Sequence, residues 1–338
     1  MYDVVLFILR GQPVHKAHEE ILTRALASGK IVVAALGSSF SSRSIRNPFT
    51  FEERKRMLEA VFPSEPRLKI VPIRDYPYDD NKWVNAVRKQ VARFSTPDSK
   101  IALIGHSKDE SSFYLNIFRG WESIDVPNMR GINATDIRYA MFEKDADVTP
   151  IFSEVSKPVF GILTELFATE PLQKLIDEYE LIKEYKDSWS AAPYPPIFHT
   201  VDAVVSQAGH VLLVKRKNAP GKGLWALPGG FLAHNERTID GMLRELREET
   251  KLKIAEPVLL GSVKAKHVFD EPHRSTRGRT ITTAFHVELS NKFDLPRVKG
   301  SDDAEKAKWV PFEQLDSSLM MEDHYHIIDY FLNIAGDY

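Results

Sequence analysis

In the stretch Gly229–Leu252, GGFLAHNERTIDGMLRELREETKL, a glycine pair leads into a segment that reads as a helix crowded with carboxylates. Glu245, Glu248 and Glu249 stand at i, i+3 and i+4, so a helix brings all three to one face. Like charges at that spacing weaken a helix. A hard divalent cation with oxygen ligands would offset the repulsion. Arg244 lies one turn before Glu248 and can hold it, while Glu236 arrives from the loop and can orient Arg244 through a bidentate pair. The plainer alternative is a solvated acidic face.

The spacing favours the cation. Gly230, five residues, Glu236, seven residues and then Arg-Glu-Leu-Arg-Glu-Glu resembles the Nudix box. Lys251 stands where that box closes on glycine, so the helix is expected to end on a lysine in the left-handed region. Resemblance to Nudix hydrolases implies Mg²⁺-dependent cleavage of a nucleoside-linked diphosphate, with Mn²⁺ an acceptable substitute. It implies metal ligation by the carbonyl of Gly230 and the carboxylates of Glu245, Glu248 and Glu249. Glu245, or an acidic residue within Asp302–Glu305, would then align or deprotonate the water.

A chain of 338 residues accommodates two ordinary domains. With 27% charged residues and a net charge of −2, it carries no basic field for nucleic acid, and no nucleic-acid partner is expected. The chain has no cysteine, which excludes disulfides, thiol nucleophiles and Cys-ligated metal, and fits a reducing cytoplasm. Met1–Leu9 is too short for a secretory apolar core and lacks a basic leader. No run of about eighteen apolar residues suggests a membrane span. The expected location is therefore cytoplasmic; a homo-oligomer is left open.

In the first half, apolar strands at Val4–Leu9, Ile31–Leu36, Leu68–Ile73 and Ile101–Ile104 alternate with helices at His15–Ala27, after Thr50, and at Lys82–Phe94. Thr50 with Glu53 forms a capping box. Wholly apolar strands between helices argue for a doubly wound parallel sheet covered on both faces, a Rossmann-like α/β fold. Further helices are expected at Thr135–Phe142 and over Val159–Tyr185, broken near Pro171. Ala191–Pro196, AAPYPP, reads as a linker. Beyond it, a hairpin at Val201–Val205 and His210–Lys215, strands near Leu259–Val268, Thr280–Leu289 and Lys308–Val310, and a closing helix at His324–Ile334 give an α+β domain. The expected division is 1–190, a linker 191–197, and 198–338.

His15 and His18 sit one turn apart where a strand runs into a helix N-terminus, a place that favours anions. They could steady phosphate oxygens, or be two surface histidines. Arg10, Gln12, Pro13, His15 and His18 match the first signature of nicotinamide mononucleotide (NMN) adenylyltransferases; Leu9, Gly11, Val14 and Ala17 depart from it. Leu9 replaces a glycine that lets the backbone approach a triphosphate. Ser44–Thr50 with Glu53-Arg54 resembles the family's next loop and helix, and Asn133–Arg138 its second signature. The resemblance implies contacts to ATP and NMN from Arg10, Gln12, Arg46, Arg54 and Thr135, charge neutralisation by His15, His18 and Arg138, and a nicotinamide ring stacked on Trp83. Without it, Trp83 reads as a structural tryptophan. Gly105–Asp109 is at the sheet edge where ligands bind, or is a plain loop.

In the second half, Trp225 could stack on a base or fill the core. Phe269–Arg274 and Arg277–Ile281 resemble the loop of ADP-ribose pyrophosphatases, which implies contacts from Arg274, Arg277 and Arg279 to a diphosphate or terminal ribose; a solvated basic loop is the alternative. Together the halves resemble the bifunctional NMN adenylyltransferase/ADP-ribose pyrophosphatases. That implies substrates ATP, NMN (giving NAD) and ADP-ribose. The competing reading is a Nudix hydrolase whose altered N-terminal domain only binds nucleotide, as a sensor or oligomerisation module.

Overall fold

The computed structural model describes residues 1–105, 117–126, 134–143 and 153–334. The chain divides into two compact units, Met1–Tyr179 and Glu180–Tyr338. The division falls inside the helix Glu170–Asp187, ahead of the proline-rich stretch where the sequence suggests it. Packing explains the position. Leu172, Leu175 and Tyr179 belong to the core of the first unit, whereas Tyr185 and Trp189 pack their rings on Phe198 at the head of the second.

The first unit is a five-stranded sheet in the order β3-β2-β1-β4-β5, all parallel. The strands are β1 Tyr2–Leu9, β2 Gly29–Leu36, β3 Leu68–Pro72, β4 Ile101–Gly105 and β5 Glu122–Asp125. Alternation along β1 sends Val5, Phe7 and Leu9 into one core, with Leu22, Leu26, Met57 and Leu58 of the helices α1 (Lys16–Ser28) and α2 (Phe51–Val61). Val4 and Leu6 enter the other core, with Val87 and Val91 of α3 (Asp80–Ala92). Both faces of the central strand are therefore covered, as a near-continuous apolar run requires. β5 leaves no mark in the sequence, because ESID is a largely exposed edge strand with no apolar run.

The second unit is a seven-stranded mixed sheet. Its main path is β10-β11-β6-β7-β12, with β8 on β7 and β9 on β6. Here β6 is Phe198–Gln207, β7 His210–Arg216, β8 Trp225–Ala226, β9 Gly229–Phe231, β10 Val263–Phe269, β11 Thr280–Glu288 and β12 Ala304–Pro311. The expected strand near Leu259 begins instead with a short helix, Glu256–Gly261, which Pro257 at its start favours. The helix Thr238–Thr250 lies on this sheet: Met242, Leu243 and Leu246 are buried among Val201, Ala203, Leu212 and Phe285. Each such side chain contributes about 2 kcal/mol of burial.

That helix ends on Lys251 at φ 51°, ψ 28°, with its N–H donating to the Arg247 carbonyl at 3.0 Å. The left-handed residue closes the helix as glycine would, but with a Cβ that this region disfavours. Replacing it should remove the strain: Lys251→Gly is expected to raise the unfolding free energy by about 1 kcal/mol, read as a shift in the urea midpoint at unchanged slope.

Candidate functional site

In a doubly wound sheet the ligand crevice opens where strand order reverses, here beyond the ends of β1 and β4. Gly11 turns the chain out of β1 at φ +59°. Leu9, the awkward replacement in the signature, is 6% exposed and points into the core, so it does not crowd this crevice.

The loop after β1 is held from three sides. Gln12 is 1% exposed; its amide donates to the Phe49 carbonyl at 2.8 Å and accepts from the Phe49 N–H at 2.9 Å. Arg54 is wholly buried and donates to the carbonyls of Arg10 (2.5 Å), Gly37 (2.7 Å) and Thr50 (3.2 Å) and to the Ser39 hydroxyl (3.2 Å). Arg138, from α4 (Ala134–Phe142), donates to the Gln12 carbonyl at 2.8 Å and to Thr135 Oγ1 at 3.0 Å. Gln12 and Arg54, expected among the substrate contacts, thus spend their polar atoms on the frame around the site.

His15 caps α1 in extended conformation and its ring stacks on that of His18, centroids 3.7 Å apart at 28°. The His15 backbone N–H donates to His18 Nδ1 at 3.3 Å, which puts the proton of a neutral His18 ring on Nε2. Burial pushes the Arg138 guanidinium down to about 10, and the nearby charges of Arg10 and Arg46 push it the same way. Three guanidiniums that raise one another's cost make a site that an anion relieves. Trp83 is half-buried and tilts against Phe118 at 5.8 Å, and Phe118 stacks on Trp121 at 4.7 Å. Asn133 and residues 106–109 lie outside the described residues.

In the second unit Arg244 is a hub. Its Nε and Nη2 bind the two oxygens of Glu236 at 3.1 and 2.7 Å, and its Nη1 donates to Glu245 (2.8 Å) and Glu248 (3.0 Å). These bonds push the Arg244 pKa upward, that to Glu236 most of all. The Glu245 carboxylate rests on Gly230 so closely that a Cβ there would lie 2.5 Å from its Oε1. Glu249 is 6% exposed and accepts the Gly229 N–H at 2.9 Å. Burial pushes Glu249 up to about 8, against the Gly229 bond, with Glu245 and Asp202 adding to the rise. Burial also raises Glu245, assisted by Glu248 and Asp302 and opposed by Arg244. Among the described residues, no three carboxylate or imidazole side chains already converge as a closed metal-ligand set; Arg244 stands among them.

Two residues here escaped the sequence analysis. Asp202, the one carboxylate in the buried run Val201–Val205, accepts from Thr282 Oγ1 at 2.6 Å and faces Glu249; a charge inside an apolar strand was the available signal. Arg216, at the end of β7, is held down by burial and by Arg277 and lies within electrostatic reach of Glu249, Glu322 and Asp303.

The basic loop splits. Arg274, expected to meet substrate, is instead locked in a bidentate pair with Asp323, both bonds 2.8 Å, with side chains 3% and 7% exposed. Arg277 lies over the Phe231 ring, 4.9 Å from its centroid. Arg279 donates to the Asp270 carbonyl at 2.5 Å. Trp225 is half-buried beneath the Lys308 ammonium, 4.6 Å from its centroid.

A cytidylyltransferase-like family model matches residues 11–108 and a NUDIX domain model residues 197–331, so the two units are a nucleotidyltransferase-type domain and a Nudix domain. A nicotinamide/nicotinic acid mononucleotide adenylyltransferase of Acinetobacter baylyi is 40% identical over 145 residues, 42% of this chain and 77% of that protein. An ADP-ribose pyrophosphatase of Methanocaldococcus jannaschii is 30% identical over 174 residues, 52% of this chain and 95% of that protein. A bifunctional NMN adenylyltransferase/ADP ribose pyrophosphatase of Francisella tularensis, solved with AMP and a manganese ion, is 36% identical. It superposes at TM-score 0.89 over 99% of this chain and 100% of that one. The chain belongs to the family of bifunctional NMN adenylyltransferase/ADP-ribose pyrophosphatases.

Two outcomes follow. Glu249 has its folded-state pKa above the unfolded value of 4.5, so its contribution to stability is full below pH 4.5 and is lost as pH rises towards about 8. In EDTA, the difference in urea midpoint between wild type and Glu249→Gln should therefore widen in favour of the variant across that window. Arg274→Ala should cost about 3–5 kcal/mol by stranding Asp323, and the paired change Arg274→Met with Asp323→Leu should recover most of it in the same assay.

Proposed function

We propose that the first unit transfers the adenylyl group of ATP to NMN and the second hydrolyses ADP-ribose to AMP and ribose 5-phosphate. The observation that carries this reading is the likeness over the whole chain to one bifunctional enzyme, with a phosphate-handling cluster built in each unit.

In the first reaction the 5′-phosphate of NMN attacks the α-phosphorus of ATP in line, and the bond to the β-phosphate breaks, giving NAD and pyrophosphate. No protein nucleophile is required; positioning and charge neutralisation set the rate. His15, His18, Arg10, Arg46, Arg138 and Thr135 surround the triphosphate in this reading, and Trp83 takes the nicotinamide ring. Gln12 and Arg54 hold the loop in place from beneath.

In the second unit the donor set suits a hard divalent cation. It is all oxygen, two of its carboxyls are pushed up by burial, and the Glu245 carboxylate occupies the space that a side chain at 230 would fill. The Gly230 carbonyl, Glu245, Glu248 and Glu249 would hold Mg²⁺, or Mn²⁺ in its place. The ion would polarise the diphosphate and acidify the attacking water. Glu236 fixes Arg244, and Arg244 fixes Glu245 and Glu248. Glu245, with its raised proton affinity, is suited to take the proton from water. Arg277 and Arg279 contact the substrate; Arg274 supports their loop through Asp323. We assign the transferase to the first unit, Met1–Tyr179, and the hydrolase to the second, Glu180–Tyr338, and place the enzyme in the cytoplasm. Among the described residues no helix is long and apolar enough to cross a membrane.

Separate sites make separate demands on mutants. Glu248→Gln is expected to lower ADP-ribose hydrolysis by about a hundredfold with NAD formation within twofold of wild type. His18→Ala should lower NAD formation by about a hundredfold and leave hydrolysis intact. Chromatographic assay of both products on each variant checks this; loss of both activities from either change would count against it.

A further inference from the structure

We infer that Phe231 and Arg277 form the seat for the planar base of the nucleoside diphosphate that the second unit cleaves. The inference rests on the hydrolase reading above and names the part of the site that selects the substrate.

Phe231 immediately follows the metal-side glycine, yet a strand alternates its side chains, so its ring leaves β9 on the face opposite to the Glu245 side of Gly230. The ring is 39% exposed, unusual for a large aromatic inside a sheet ladder. It is nonetheless held firmly. Its strand pairs with β6 at Thr200, its carbonyl accepts from Arg244 Nη2 at 3.2 Å, and Phe198 meets it edge-on at 5.8 Å. Phe198 is in turn backed by Trp189 at 5.3 Å. A firmly held, partly exposed ring on the residue next to Gly230 offers a stacking face.

Arg277 supplies the second half. Its guanidinium lies over Phe231, and its Nε is buried without a hydrogen-bond partner among the described residues. A buried donor left unmade costs free energy, which a ligand acceptor would recover. Arg277 lies near enough to Arg216 to push its guanidinium down while Glu249 pushes it up, so Arg277 and the carboxylate cluster flank the same side chain. A base has the properties the place asks for: a flat π-face for the Phe231–Arg277 stack and ring-edge acceptors for the guanidinium.

The test uses the full-length enzyme with Mn²⁺ and two substrates: ADP-ribose, and the same diphosphate with ribose in place of adenosine. Phe231→Ala should raise KM for ADP-ribose about tenfold with a much smaller change in kcat, while KM for the base-free diphosphate moves less than twofold. Phe231→Trp should restore KM, and Arg277→Gln should raise KM for ADP-ribose more than KM for the base-free diphosphate. Mn²⁺ binding followed by electron paramagnetic resonance reports whether each variant keeps its carboxylate cluster. An unchanged KM for ADP-ribose, or an equal rise for both diphosphates, overturns the inference and leaves the hydrolase assignment standing. A wild-type enzyme that cleaves neither substrate overturns the assignment itself.

Discussion

One guanidinium organises the hydrolase unit. Without Arg244, Glu236, Glu245 and Glu248 would be three carboxylates in a space that buries part of each, and their repulsion would push them into solvent. Arg244 suits the place because its planar fork binds Glu236 through two nitrogens while the third still serves the helix face. The missing side chain at Gly230 matters as much, since it lets Glu245 lie against the strand. The cluster is therefore under electrostatic load, which the cation of the proposed reaction would relieve.

The transferase unit solves the opposite problem. Its crevice gathers positive charge, from Arg10, Arg46 and Arg138, at the reversal point of a parallel sheet. Each unit thus concentrates charge of one sign, acidic in one and basic in the other, and the proposed reactions would use each on phosphate, the acidic one through a cation.

Much of this was legible in the sequence because spacing and period carry it. The strand and helix order of the first unit followed from apolar runs, and the Thr50–Glu53 capping box forms both of its bonds. The link from Glu236 to Arg244 could be read from residue spacing because a helix fixes which side chains meet. What the sequence hid depends on distant partners. Arg274 looks like its neighbours Arg277 and Arg279 until Asp323 comes beside it from 49 residues on. Arg54 looks like a substrate contact until the sheet closes over it, and Leu9 looks obstructive until β1 turns it inward. Charge type is local information; the choice between framing a site and touching its ligand is set by tertiary packing.

The manner in which Arg54 grips its surroundings has a consequence for how such a sequence can drift. Three of its four acceptors are main-chain carbonyls, and every amino acid offers that same oxygen whatever its side chain. The meeting of three chain segments, after β1, after β2 and ahead of α2, is thus held by a partner indifferent to their side chains. Residues such as Val14 and Ala17 can differ from the family pattern while the course of the chain stays where it was, and His15 and His18 beside them keep their station.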